Sequence, residues 1–324
     1  AKMPKSFQLN KKYVADLKNI DMPRGAVVPL TGEIYAPSYN SGNVRLFTLS
    51  KDANLVTLAK TLTTGIPRGY DACCSTNGRY VYVLYHSSDT VLNVAVSANF
   101  GQYFSEKSIG TLTSISFPLK TALRPYNIQC SPDGQNVQLC AADNGKLRFF
   151  NSTNFGVTWA ETWIDATTYS APQLAFCKFS ADLTKGIVFK GGAAPSPNFF
   201  IDNGVRNNIT AMEGLLNYDN LCDISQDGTR LLVSRQRGTY DLFNEDFPYF
   251  YSDDDGVTWT ERVLTTGQYN NGGTSGSSNI SSSGMQLSTL DHDYAYCMVG
   301  RAVGNVKTMV VLLVHLPTGT SKVI

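Results

Sequence analysis

The sequence predicts an all-β chain of four-stranded antiparallel units, a β-propeller of six blades with seven left open, and three observations carry that prediction. A polar turn follows a short apolar run at intervals of 56, 49, 45 and 56 residues. Alternating strands follow those turns. No helical periodicity of useful length competes with them.

The turn reads Ser75-Thr76-Asn77-Gly78, Ser131-Pro132-Asp133-Gly134, Ser180-Ala181-Asp182, Ser225-Gln226-Asp227-Gly228 and, more weakly, Ser281-Ser282-Ser283-Gly284. A fainter first copy is Thr31-Gly32. Asp-Gly and Asn-Gly pairs suit hairpins because those residues tolerate positive φ. Strands such as Arg79-Tyr80-Val81-Tyr82-Val83-Leu84-Tyr85 and Arg230-Leu231-Leu232-Val233-Ser234 come next. A period near 50 residues, with about four strands in each unit, describes a sheet that buries both faces only when neighbours stack on it. The Gly-Ser-Asn stretch from Gly267 to Gly284 reads as one long surface loop.

Closed all-β architectures reach 324 residues as one domain, and 42% apolar content supplies a core. The propeller is expected over residues 26–324. Residues 1–25 carry Lys2, Lys5, Lys11, Lys12, Lys18 and Arg24 against Asp16 and Asp21 and read as an extended basic arm, through which other protein subunits would be met. With 27 basic and 26 acidic residues the chain lacks the one-sided field of a nucleic-acid binder. A surface rich in Ser, Thr, Asn, Gln and Gly, with 17 Tyr, suits a surface glycan. No run approaches the roughly 18 apolar residues of a membrane span, so membrane insertion is not expected. Ala1-Lys2-Met3-Pro4-Lys5 has no signal core behind it, which points to folding in a cytosol. A secreted or periplasmic location is the alternative if a signal peptide has been removed.

Seven cysteines without C-x-x-C spacing argue against zinc or redox motifs. Cys74, Cys130, Cys177 and Cys222 fall just before the recurring turns and are expected as reduced, buried hydrophobes.

The most specific string is Ser252-Asp253-Asp254-Asp255-Gly256-Val257-Thr258-Trp259, repeated as Ser152-Thr153-Asn154-Phe155-Gly156-Val157-Thr158-Trp159. Shorter echoes are Ser97-Ala98-Asn99-Phe100-Gly101 and Asp202-Asn203-Gly204. Where both glycines exist, the second lies 22 to 28 residues after the first, a phase chance does not readily keep. This pattern resembles the Asp-box repeat of sialidases and related propellers. The stretch Arg124-Pro125-Tyr126-Asn127-Ile128-Gln129-Cys130-Ser131-Pro132-Asp133-Gly134 also resembles the blade opening of bacterial propellers with Y-V-T-N-type repeats. The resemblance covers residues 26–324 and is to a repeat class. It implies a turn between the two outer strands, with Asp254 or Asn154 accepting turn N–H bonds and Trp259 or Trp159 packed between sheets. Ser252, Gly256, Thr258, Ser152, Gly156 and Thr158 complete those structural turns.

Sialidase chemistry, as the resemblance implies it, needs an arginine clamp, a Tyr–Glu nucleophile and an Asp acid/base. The family's F-R-I-P signature is missing; the nearest string is Ile66-Pro67-Arg68, in reversed order. No catalytic residue is therefore assigned. A ligand site is expected at the axial mouth, where innermost strands begin, and its candidates are Arg68, Tyr70, Asp71, Arg124, Tyr126, Asn127 and Asp219. Neither a metal nor a cofactor is expected. Asp291-His292-Asp293 would not converge on a strand, since alternate residues face opposite ways, and calcium at Asp253–Asp255 is the weaker option. The expectation is a non-catalytic binding module, a structural or receptor/glycan-binding part of an assembly such as a bacteriophage virion or tail. Its alternatives are a sialidase-like glycoside hydrolase acting through Asp71 and Asp219, which predicts two carboxyl groups about 5 to 10 Å apart, and a bacterial assembly factor.

Overall fold

The computed structural model describes residues 26–27, 34–40, 43–49, 56–63, 68–88, 90–112, 127–143, 146–165, 175–190, 198–209, 220–235, 247–264, 281–288, 291–303 and 306–324. The arm of residues 1–25 and the fainter turn at Thr31-Gly32 lie outside them.

All regular structure among the described residues is β, in four-stranded antiparallel sheets whose strands pair in chain order. The chain divides into two compact units, 1–122 with 126–170, and 123–125 with 171–324. In the first unit one sheet joins β1 (Ala26–Val27), β2 (Ile34–Asn40), β3 (Asn43–Leu49) and β4 (Val56–Thr63). A second joins β5 (Arg68–Cys74), β6 (Val81–His86), β7 (Val91–Ser97) and β8 (Ser105–Thr111). The third joins β9 (Asn127–Cys130), β10 (Val137–Asp143), β11 (Lys146–Ser152) and β12 (Ala160–Asp165).

The second unit opens with β13 (Ala175–Phe179), β14 (Lys185–Lys190), β15 (Asn198–Asp202) and β16 (Val205–Ile209). Its next sheet holds β17 (Asn220–Ile224), β18 (Leu231–Arg235), β19 (Phe247–Ser252) and β20 (Thr260–Leu264). Its last holds β21 (Ser281–Leu287), β22 (Tyr294–Val303), β23 (Val306–His315) and β24 (Thr320–Val323).

Strand β6 shows why these sheets must stack. Successive strand residues face opposite ways, yet every residue of β6 is buried. Tyr82 and Leu84 enter a core shared with Ile128, Val137, Leu139 and Phe150 of the following sheet, while Val81, Val83 and Tyr85 pack with Ala72 and Ala95 on the other face. In the second unit Ile187 and Phe200 meet Ile224 and Val233 across one junction, and Leu232, Tyr249 and Tyr251 meet Met285, Ala295 and Leu312 across the next. The outermost strand of the second sheet, β8, is mostly exposed.

The recurring turns join the first and second strands of their sheets and are organised by serine. Ser75 N–H donates to Tyr80 O at 2.9 Å, Gly78 N–H donates back to Ser75 O at 2.8 Å, and Tyr80 N–H donates to Ser75 Oγ at 3.0 Å. The side chain at the third position caps the turn: Arg79 N–H donates to Asn77 Oδ1 at 3.0 Å, as Gln135 N–H does to Asp133 Oδ1 at 2.9 Å. Positive φ falls on Gly78, Gly134 and Gly228, and on Leu183 in the copy without glycine.

Two expectations are corrected here. The weak copy Ser281–Gly284 is not a turn, because Ser281–Leu287 is strand β21. The equivalent turn begins at Ser288, whose N–H donates to Tyr294 O at 2.8 Å, one residue further on than in the other copies. The long loop read from Gly267 to Gly284 therefore ends before Ser281, and residues 265–280 lie outside the described set.

Candidate functional site

The innermost strands β5 and β9 lie side by side, and Asp71 joins them. Its Oδ1 accepts from Ala72 N–H at 3.0 Å; its Oδ2 accepts from Asn127 Nδ2 at 2.8 Å and from Ile128 N–H at 3.1 Å. Asp71 is 4% and Asn127 5% exposed. A buried carboxylate holding three donors is an anchor between sheets, since losing it would strand those donors without water. Of the expected mouth residues these two are brought together. Arg68 and Tyr70 lie on β5 with side chains outside the described set, and Arg124, Tyr126 and Asp219 lie outside the described residues.

Sequence reasoning missed a second such anchor. Asp223 on β17 accepts from Ile224 N–H at 3.0 Å and from Leu287 N–H of β21 at 2.8 Å. Burial pushes its carboxyl above the ordinary range, while Lys178 and the two N–H groups pull the other way. The offset between carboxylate and neighbouring N–H matches that at Asp71, one residue further along the adjacent strand. Asp71 stands four residues before Ser75 and Asp223 two before Ser225, so alignment on the serine conceals the likeness.

At the opposite end of the sheets lie the hairpins between third and fourth strands. In the turn Ser252–Trp259, Asp254 Oδ1 accepts from Ser252 Oγ at 2.8 Å and from Thr258 N–H at 2.8 Å, Asp254 Oδ2 accepts from Thr258 Oγ1 at 2.6 Å, and Gly256 N–H donates to Ser252 Oγ at 2.9 Å. The Thr258 hydroxyl, with these other donors, holds Asp254 below the usual carboxylate range. Trp259 Nε1 donates to Gly256 O at 2.9 Å, and its ring packs on the core beside Ile209 and Leu231. Asn154 repeats the arrangement, accepting from Ser152 Oγ at 3.0 Å and Thr158 N–H at 2.9 Å, with Trp159 Nε1 donating to Gly156 O at 3.1 Å. The residue before each glycine takes the left-handed conformation: φ is 60° at Phe100, 58° at Phe155 and 57° at Asp255. Bulky phenylalanines are uncommon there.

These hairpins also reach the preceding sheet. The Phe155 ring stacks on Tyr80 with centroids 4.6 Å apart, and the Lys185 ammonium meets Asp255 at 2.7 Å. Tyr80 and Lys185 occupy the same place, five residues after Ser75 and Ser180. Arg230, in that place after Ser225, pairs with Asp253 of its own sheet and with Asp293 and the His292 carbonyl of the next. His292 lies in a turn, with Nδ1 3.6 Å from Asp227 Oδ1. Among the described residues no three His, Cys, Asp or Glu side chains converge to hold a metal ion.

In the first unit the hairpin end also presents apolar groups to solvent: Phe100 is 56%, Tyr103 75% and Val157 60% exposed. Chemically this end offers aromatic and aliphatic contact surface beside backbone and amide groups, whereas the described head of β5 and β9 offers a carboxylate already engaged.

No protein-family model matches the chain, and no curated protein matches its sequence. Solved structures do match. A GH74 enzyme from Niastella koreensis shares 12% identity, with 93% of this chain and 45% of that chain aligned at a TM-score of 0.59. The chain thus spans less than half the length of that enzyme. A protein from Lactobacillus plantarum aligns over 94% of this chain and 83% of its own at 14% identity and TM-score 0.57. Sqt1 from Saccharomyces cerevisiae aligns over 93% and 84% at 9% identity and TM-score 0.50. With its all-β meander sheets, the chain has the β-propeller fold. Identities this low define the fold and leave the function to the residues.

Proposed function

We propose that this chain is a non-catalytic β-propeller binding module with Asp-box-type blades, serving as a structural or receptor/glycan-binding component of a larger assembly such as a bacteriophage virion or tail. Folding in a host cytoplasm and later exposure on a particle suit its near-neutral charge, 27 basic against 26 acidic residues, and its polar, Tyr-rich composition. The basic arm of residues 1–25 is proposed to dock to another subunit.

One observation carries the non-catalytic reading. Asp71, a carboxylate on which a hydrolytic alternative depends, is buried and accepts from Ala72, Asn127 and Ile128. A general acid or base must reach the proton it moves, and a carboxylate closed in by three protein donors does not. The exposed Tyr103 and Val157 supply the contact surface instead. Aromatic side chains give large contact area at small entropic cost, which suits recognition of a sugar or a protein surface.

The test uses the full chain on a microbial glycan array, with release of reducing ends assayed on the same glycans. Saturable binding without release, weakened by Tyr103→Ala, supports the reading. Release of reducing ends that is lost in Asp71→Asn overturns it in favour of the glycoside hydrolase.

A further inference from the structure

All seven cysteines are thiols in the structure, and two of them lie on adjoining innermost strands of neighbouring sheets. Cys73 lies on β5 and Cys130 on β9. Two hydrogen bonds bracket the pair. On one side Ile128 N–H donates to Asp71 Oδ2 at 3.1 Å; on the other Thr76 N–H donates to Pro132 O at 2.8 Å. Counting inward from the first sets residue 73 level with residue 130, and from the second level with residue 129; Cys73 and Cys130 pack against one core, whereas Cys74 packs against another. The core shared by Cys73 and Cys130 holds Tyr82 and Ile128, and Cys130 is near enough to add to the rise in the Cys73 thiol pKa. Both residues are partly exposed.

We propose that Cys73 and Cys130 form a redox-reversible disulfide that staples the innermost strands of two neighbouring sheets. The oxidant is a small-molecule disulfide. One protein thiolate attacks a sulfur of that disulfide and expels a thiolate; the second protein thiolate attacks the resulting mixed disulfide and expels the other. The two protein thiols are oxidised to one S–S bond, the small disulfide is reduced to two thiols, and the two protons pass to the leaving sulfurs. Cys73 must ionise on either route. Burial, with Cys130, Asp71 and Cys74 adding to it, lifts its thiol well above the ordinary value, so closure is slow at neutral pH and speeds up roughly tenfold for each pH unit.

The experiment exposes the reduced full chain to oxidised glutathione, counts thiols after denaturation and maps cross-linked peptides without reduction. The expected result is a fall from seven thiols to five, a bond between the peptides carrying Cys73 and Cys130, and a Tm rise of about 5–10 °C that dithiothreitol reverses. The cross-link survives Cys74→Ser and vanishes in Cys73→Ser and Cys130→Ser. A cross-link that persists in Cys73→Ser, that joins another pair, or that fails to form in the folded wild-type chain from pH 7 to about 9 overturns the proposal. Wild-type peptide mapping decides the question even if a serine variant folds poorly.

Discussion

Tyr80 in the first unit and Lys185 in the second occupy the same structural place, five residues after the serine that closes a hairpin, and they couple their sheet to the next by different chemistry. Tyr80 stacks on Phe155 and Lys185 pairs with Asp255. The partners match in position too, because Phe155 and Asp255 both precede a turn glycine at positive φ. Backbone geometry has fixed the place, and its occupant is free to be aromatic or ionic. The coupling of the first unit should accordingly ignore salt, while that of the second should not.

The largest contrast lies beneath the two occupants. Gly134 and Gly228 have φ of 80° and 74°, so alanine is strained equally at both. A Cβ at Gly134 would lie 2.8 Å from Tyr80 Cβ, an atom fixed to the backbone, whereas at Gly228 its nearest neighbour is Lys185 Cδ, also at 2.8 Å, on a flexible stem. Gly134→Ala should cost about 3–4 kcal/mol in urea unfolding and Gly228→Ala about 1–2 kcal/mol. Equal costs would break the comparison.

Next come the buried anchors. Asp71→Ala strands three donors and Asp223→Ala two, so losses of about 3 and about 2 kcal/mol are expected from the same measurement. The second is further reduced because burial, which raises the Asp223 carboxyl, offsets part of what its donors contribute.

Acid should act on the turns. The Asp227 carboxyl is held at about 2 against an ordinary 3.8: burial alone would raise it, but the Ser225 hydroxyl, the Thr229 N–H and hydroxyl and nearby His292 outweigh that. A depressed carboxylate contributes stability that is fully present above the unfolded value and is lost as pH falls through the folded one. The contribution of Asp227 should therefore disappear between about pH 4 and pH 2, and Asp227→Asn should flatten that part of a stability–pH curve. Asp133, lowered chiefly by the Ser131 hydroxyl, adds loss in the same direction in the first unit.

Much of the fold was legible because its signals are local. The Ser-x-Asx-Gly turns and alternating strands sit within a few residues of each other, and the serine hydroxyl, Asx cap and positive-φ glycine all act inside one hairpin. The turn at Ser288 escaped because it carries one more residue before Tyr294 and has no glycine, while Ser281–Gly284 imitates the pattern inside a strand. Roles that span sheets were not legible. Asp71 reaches Ile128, and Asp223 reaches Leu287, across some sixty residues of chain, so nothing near either aspartate announces its partner. A reading of Asp71 as a ligand group and its place as an anchor start from the same buried acid; only the three donors separate them.

The most direct test is a pair of double-mutant cycles, Tyr80→Ala with Phe155→Ala and Lys185→Ala with Asp255→Ala, run in about 0.05 M and about 1 M NaCl. The account predicts a coupling of about 1 kcal/mol for the aromatic pair at both salt concentrations. For the ionic pair, in which the Asp255 side chain is 44% exposed, it predicts about 0.5 kcal/mol after discounting for solvent, falling toward zero at high salt. Couplings that respond to salt alike, or an aromatic pair with none, would contradict the claim that one structural place joins successive sheets through interchangeable chemistry.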